Sequence, residues 1–205
     1  MAHCLQLVKI HSVLDGLLVR TLEISANDEV SNDHNFVRSI EFSPDGSEIY
    51  VGAEDGVLRV YHVGSTLVMR VFELSYSVYG IGIDKARGRI VAGGTNTIRC
   101  WDDNSTDIIW QEVDREMRIS SIALNPQGSL VAAGDLQGSI HLRDLERGQL
   151  LHKLHGHTDS VYAIVFSIDG RKLASTGLDN SLRIWIMSAF PRCIEVVDGH
   201  KWDTI

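Results

Sequence analysis

Four stretches of this 205-residue chain are copies of one another, and that recurrence constrains the fold more than any single motif in it. The clearest copy runs from His155 to Ile186, HGHTDSVYAIVFSIDGRKLASTGLDNSLRIWI. The apolar residue before the first turn of each copy is Phe42, Ile83, Leu124 and Phe166, which subtraction spaces at 41, 41 and 42 residues. The slot near the end of each copy holds Tyr61, Trp101, Arg143 and Trp185, spaced at 40, 42 and 42. A fixed period of about 40–45 residues marks a supersecondary unit that buries its apolar face only against its neighbours in an array.

The residue types inside the best copy predict strands. Val161, Ala163 and Val165 alternate with Tyr162, Ile164 and Phe166 in one apolar run, the pattern of a strand buried on both sides. Ser167 to Gly170 is a turn, with Gly170 supplying a positive φ, and its counterpart in the first copy is Ser43-Pro44-Asp45-Gly46. A second strand over Lys172–Thr176, a tight turn over Gly177–Asn180 and a third strand over Ser181–Ile186 follow. The fourth strand of each unit stands just before the next copy.

With a Gly-His pair near the start and a Trp-Asp-like pair near the end, the repeat resembles the WD-repeat β-propeller family. That resemblance implies an all-β fold of radially stacked four-stranded blades. It also implies that His157, Ser175, Asp179 and Trp185 form the family's structural tetrad, hydrogen-bonded in series to pin a loop to the sheet. The same Ser, His and Asp would suit a nucleophile system. That reading is disfavoured because the repeat already accounts for them and Ser175 lies within a strand, without a nucleophile elbow.

Taken in order, the chain is an incomplete propeller over residues 1–205, with about four full blades and half-blades at both ends. Residues 1–24 read as the third and fourth strands of a blade, joined at Asp15-Gly16. Residues 25–35 are an acidic insertion loop. Blades follow at about 36–74, 75–113, 117–154 and 155–197, and 198–205 begin another. Copy two has Thr95 where an Asp is expected and closes on Trp101-Asp102. Its Gly80 and Gly82 signify close packing rather than a nucleotide fingerprint, because no helix signal follows them. Copy three holds Gln137 and Arg143 in the Asp and Trp slots, so its tetrad cannot form and its stability leans on its neighbours. An unclosed ring leaves strand edges and a blade face unpaired, so the chain is expected to be a fragment or truncated gene product, or to need a covering partner.

Composition narrows the partners. A net charge of −8 disfavours a phosphate-binding face, so no direct nucleic-acid binding is expected, and proteins or cationic peptides fit better. Cys4, Cys100 and Cys193 are few and far apart, which predicts unbridged thiols in a reducing compartment. His152, His155 and His157 have metal-like spacing, but strand and tetrad roles account for them, so no metal and no cofactor is expected. No apolar run approaches a membrane span, so no membrane partner is expected.

The order of peculiarities narrows the resemblance. Phe-Val-Arg-Ser-Ile-Glu-Phe-Ser-Pro-Asp-Gly comes first, then Val-Tyr-Gly-Ile without a Gly-His, then Ile-Ser-Ser-Ile-Ala-Leu, then Leu-His-Gly-His-Thr-Asp-Ser-Val-Tyr, then Cys-Ile-Glu-Val-Val-Asp-Gly-His-Lys. This succession resembles the middle of the C-terminal propeller of the fungal Tup-type general transcriptional corepressors. The N-terminal helical region of that family is not in this sequence, so its oligomerisation is not carried over. The resemblance implies a nuclear, non-enzymatic scaffold that docks DNA-bound repressors and histone tails. Propellers dock partners on the short-loop rim near the channel, here Phe36, Arg38, Glu54, Tyr79, Leu136, Tyr162 and Leu178; Phe36, Glu54, Tyr79 and Leu136 fall on the slots where that family receives repressors, and Tyr162 and Leu178 are equally suited to packing between blades. The alternative is a WD-repeat adaptor subunit of another assembly, such as a ubiquitin ligase or general transcription complex, in the nucleus or the cytoplasm. A propeller hydrolase is disfavoured, because no acid, base and nucleophile remain grouped once the repeats are subtracted.

Overall fold

The structure, a computed structural model, describes residues 6–24, 36–188 and 191–198. The expected insertion loop at 25–35, Cys4 and nearly all of the expected further blade start lie outside those residues. Among the described residues there are strands and turns and no α-helix.

β1 (Gln6–His11) and β2 (Leu18–Ile24) form an antiparallel ribbon. β3 (Val37–Phe42), β4 (Glu48–Ala53), β5 (Val57–His62) and β6 (Val68–Glu73) form a four-stranded meander. β13 (Val161–Phe166), β14 (Lys172–Gly177), β15 (Ser181–Ile186) and β16 (Arg192–Asp198) form another. Between them β7 (Val78–Asp84), β8 (Arg89–Asp102), β9 (Ile108–Leu124), β10 (Leu130–Asp135), β11 (Ser139–Asp144) and β12 (Leu150–His155) share one six-stranded sheet.

That shared sheet departs from the expected boundary between blades at 113–117. β8 folds on itself at Asn96, whose φ is +63°, so Arg89–Thr95 and Thr97–Asp102 act as second and third strands. β9 runs extended through Asp114–Met117. Its first half pairs with β8, as in Cys100↔Trp110, and its second half with β10, as in Ala132↔Ala123. The pair Thr95↔Arg118 joins the two halves. The junction has no Gly-His loop to break the extended run, so two blades are hydrogen-bonded into one.

The sheets are stacked as a fan, each apolar core shared by two neighbours. Val8, Ile10, Leu22 and Ile24 of the ribbon pack on Ile49, Val51 and Tyr61. Tyr50, Leu58 and Phe72 meet Ile81, Ile90 and Trp101, and the Phe72 and Trp101 rings lie 5.5 Å apart, tilted by 60°. Val91, Ile98 and Cys100 meet Ile119, Val131 and Leu145. Ala132, Ile140 and Leu142 meet Val161, Phe166, Leu173 and Trp185. Each large aliphatic side chain sealed this way contributes about 1.5–3 kcal/mol. The fan is that of an incomplete propeller, with β3, β7, the second half of β9 and β13 side by side as the inner wall.

The turns are cross-tied. Gly46, Gly128 and Gly170, at φ +70°, +62° and +67°, close the turns after the inner strands. Each such turn then accepts a backbone N–H from the far end of its own blade: Val63 N to Ser47 O, Leu145 N to Ser129 O and Met187 N to Arg171 O, at 2.8–2.9 Å. Gly80 and Gly82 bring β7 against β9, and a Cβ on either would stand 2.8 Å from Ile122 N or Leu124 Cγ.

One expectation fails on burial. The run Val161–Phe166 reads as buried on both sides, yet Tyr162, Ala163 and Val165 are exposed, because among the described residues no sheet covers that flank. Ile40 and Phe42 are likewise half exposed, since the ribbon's core reaches β4 and β5 but not these two inner-strand residues.

Candidate functional site

Two arrangements of polar and aromatic side chains stand out. The first is internal to the last complete sheet. His157 lies in the loop before β13, Ser175 in β14, Asp179 in the β14–β15 turn and Trp185 in β15. Trp185 Nε1–H donates to Ser175 Oγ at 2.9 Å, Ser175 Oγ stands 2.8 Å from His157 Nε2, and His157 Nδ1 stands 3.0 Å from Asp179 Oδ1. Donors run one way along this series, Trp to Ser to His to Asp, which assigns the Nδ1–H tautomer to His157. Asp179 also accepts the backbone N–H groups of Thr158 and Ser181 at 3.0 and 3.1 Å and the Ser181 hydroxyl at 2.8 Å. Burial pushes its carboxyl up, but these donors and the His157 ring outweigh burial and hold it well below the usual carboxylate range. Ser181 is the member that motif reading missed. Its signal is the shared position of Ser139 and Ser181 two residues after Gln137 and Asp179.

An Asp–His–Ser series is also the wiring of a nucleophile system, and the geometry separates the two uses. Ser175 is 1% exposed and its oxygen already accepts the Trp185 indole, so no substrate carbonyl can reach it.

The other sheets solve the same turn differently. The strand slot of Ser175 is filled by Val51, Ala92 and Ala133, all fully buried, so the series closes only here among the described sheets. Asp55 instead pairs with buried Arg59 at 2.6 Å. In copy three, predicted to lack the tetrad and to lean on its neighbours, a different clamp stands two residues off the slot. Asp135 accepts backbone N–H groups from Gln137 and Ser139 and bonds His141 Nε2 at 2.8 Å. Arg143, 2% exposed in the aromatic slot, pairs with Glu112 at 2.5 Å and donates to Gly148 O at 2.9 Å. His155, the end of β12, lies 3.3 Å from Ser139 Oγ. Cys100 and Cys193 are unbridged, and burial pushes the Cys100 thiol up to about 12.

The second arrangement is a groove of about 610 Å³ along the inner wall. Five of the seven expected face residues line it: Arg38 on β3, Tyr79 on β7, Leu136 in the β10–β11 turn, Tyr162 on β13 and Leu178 in the β14–β15 turn. Phe36 and Glu54 adjoin it through Arg38, whose guanidinium lies 5.4 Å from the Phe36 ring centroid and ion-pairs with Glu54. Tyr162 is 72% and Leu178 56% exposed, so neither packs between sheets. Ser120 and Ser160 line the same groove and were not foreseen. Ser160 Oγ donates to Leu136 O at 3.1 Å, tying the rims of neighbouring blades, and nothing in a single serine's sequence context signals such a tie. The groove floor is the backs of four inner strands, and its rim is aromatic, aliphatic and charged.

Comparison with known proteins agrees with this architecture. The family described as "WD domain, G-beta repeat" matches residues 24–62 and 148–185, the stretches that hold Tyr61 and Trp185. U3 small nucleolar RNA-associated protein 21 of Saccharomyces cerevisiae is 24% identical over 156 residues, 76% of this chain and 17% of that protein. Periodic tryptophan protein 2 of the same yeast is 30% identical over 170 residues, 80% of this chain and 18% of that protein. WD repeat-containing protein VIP3 of Arabidopsis thaliana is 28% identical over 187 residues, 80% of this chain and 58% of that protein. The chain thus spans less than two thirds of the length of each of these relatives.

Proposed function

Starting from a chain that carries WD40 repeats, we propose that it is a non-enzymatic protein-interaction scaffold that receives an extended segment of a partner protein in the inner groove. The supporting observation is the rim. Phe36, Arg38, Tyr79, Leu136, Tyr162 and Leu178 are exposed and lie outside the shared cores, Glu54 is half-buried beside Arg38, and the arginine and two tyrosines are of the types enriched in binding hot spots. The Ser120 and Ser160 hydroxyls on the groove already donate to the backbone carbonyls of Gly134, Val161 and Leu136, leaving few convergent polar groups, which suits recognition of a segment rather than chemistry on it.

The finer reading is a nuclear corepressor platform that docks DNA-bound repressors and histone tails, supported by the order of peculiarities along the chain. The second reading is an adaptor in another assembly, favoured by a relative named as a small nucleolar RNA-associated protein. Tyr79→Ala combined with Leu136→Ala tests the face. The expected result is at least tenfold weaker capture of the partner with thermal unfolding unchanged within about 2 °C. Unchanged capture, or unfolding of the variant, overturns the assignment of these residues to a docking face. Capture of chromatin repressors or of ribonucleoprotein subunits separates the two readings.

A further inference from the structure

The rim holds a cation that is already bound. The Arg38 guanidinium lies 5.4 Å from the ring centroid of Phe36 and 5.9 Å from that of Tyr79. Its Nε–H donates to Glu54 Oε1 at 2.8 Å, and Nη2 contacts the same oxygen. Phe36, Arg38 and Glu54 come from one blade and Tyr79 from the next, so the arrangement exists only because the two are stacked. Two aromatic faces and one carboxylate around a guanidinium are the ingredients of a cation receptor.

The occupant is held loosely. The Arg38 side chain is 43% exposed and Glu54 25%, so their ion pair is weak in water, and an exposed cation over a ring adds little more. Arg38 can swing its head into solvent on a long aliphatic stem and keep its charge hydrated. What it leaves behind is two ring faces and a partly desolvated carboxylate at the mouth of a groove, in a chain whose net charge of −8 draws cations toward it.

We propose that Phe36, Tyr79 and Glu54 form a receptor for an arginine side chain presented by a partner, and that Arg38 is its placeholder in the free chain. The resident group itself argues for arginine over lysine, because a planar fork stacks on the rings while its N–H groups reach the carboxylate, whereas an ammonium offers only a point charge. The inference deepens the docking reading and rests on it for its biological use, but the receptor is testable by itself.

The experiment titrates the ¹⁵N-labelled full chain with N-acetyl-arginine amide, with the lysine and glutamate analogues as controls, and follows the backbone amides of Glu54 and Tyr79. Arg38→Ala and Arg38→Met both vacate the receptor, and the methionine retains the aliphatic stem if alanine loosens β3. The expected result is an arginine affinity about five- to tenfold higher in both variants than in the unsubstituted chain, weaker binding of the lysine analogue, and loss of the gain in Arg38→Met/Glu54→Gln. Arginine binding no tighter in the Arg38 variants overturns the proposal. So does glutamate-analogue binding that Arg38→Met abolishes, which would make Arg38 the recognition group. Arginine binding as expected, with partner capture indifferent to Tyr79→Ala/Leu136→Ala, keeps the receptor and removes the docking reading. Partner capture lost in that double variant, with no arginine binding anywhere, does the reverse.

Discussion

Replacing Ser175 with alanine removes one hydroxyl and strands two ring nitrogens. Ser175 Oγ is the acceptor for Trp185 Nε1–H and the donor to His157 Nε2, at 2.9 and 2.8 Å, and the site is sealed: Ser175 is 1% and Trp185 3% exposed. A buried polar group left without its partner costs about 1–3 kcal/mol, so two orphans predict a loss of about 2–6 kcal/mol. Alanine occupies the matching slot as Ala92 and Ala133, so the backbone tolerates it and the cost is that of the polar groups alone. For a chain of this size, 1 kcal/mol moves Tm by about 2–4 °C, and the expected fall is roughly 4–24 °C. The assay is thermal and urea unfolding followed by far-ultraviolet circular dichroism and by tryptophan emission. Trp185→Phe supplies the second arm of a double-mutant cycle, and its cost should shrink by at least about 1 kcal/mol when Ser175 is already alanine. A fall in Tm below 2 °C, or strictly additive costs, refutes the reasoning, since either means that water or a shifted side chain replaces the lost bonds.

Two further expectations concern charge. Asp179 has a depressed carboxyl, so its contribution is fully present above the unfolded carboxylate value of about 3.9 and is lost as pH falls through the lower folded value; the Tm advantage of the unsubstituted chain over Asp179→Asn should be flat from pH 7 to 5 and vanish in strong acid, in a pH series of melts. Lys85 bridges two blades, reaching Asp103 Oδ2 at 2.6 Å and also Glu48, while Arg70 reaches the same two carboxylates at 3.0 and 2.9 Å. Burial lowers the Lys85 pKa, but its bonds to Asp103 and Glu48 prevail and raise it. Its contribution is therefore present below the unfolded lysine value of about 10.4 and lost as pH rises through the folded one. With the Lys85 side chain 28% exposed, Lys85→Met should cost about 1–2 kcal/mol in urea unfolding at pH 7, and a cost unchanged in 1 M salt distinguishes this half-buried bridge from a surface pair.

Legibility in the sequence followed locality. The turns at Gly46, Gly128 and Gly170 could be read because a positive φ leaves a glycine in the sequence wherever it recurs. His157, Ser175, Asp179 and Trp185 could be named because their repeat positions are fixed, and the structure puts them within hydrogen-bonding distance of one another. The clamp at Asp135 and His141 was not legible, because it uses positions two residues off the repeat slot. The Lys85, Arg70, Glu48 and Asp103 bridge was not legible either, because its members come from two blades and no periodicity links them.

By itself the sequence determined the strand units, their turns, and the fact that each unit seeks a neighbour on both sides, since apolar period, glycine position and turn chemistry act within a few residues of chain. Only the stacking of the sheets decided which charges meet and that Phe36, Glu54 and Tyr79 gather around the Arg38 guanidinium. Those outcomes depend on distances between segments some forty residues apart, and such distances are fixed by how shared cores such as Phe72 on Trp101 fill space.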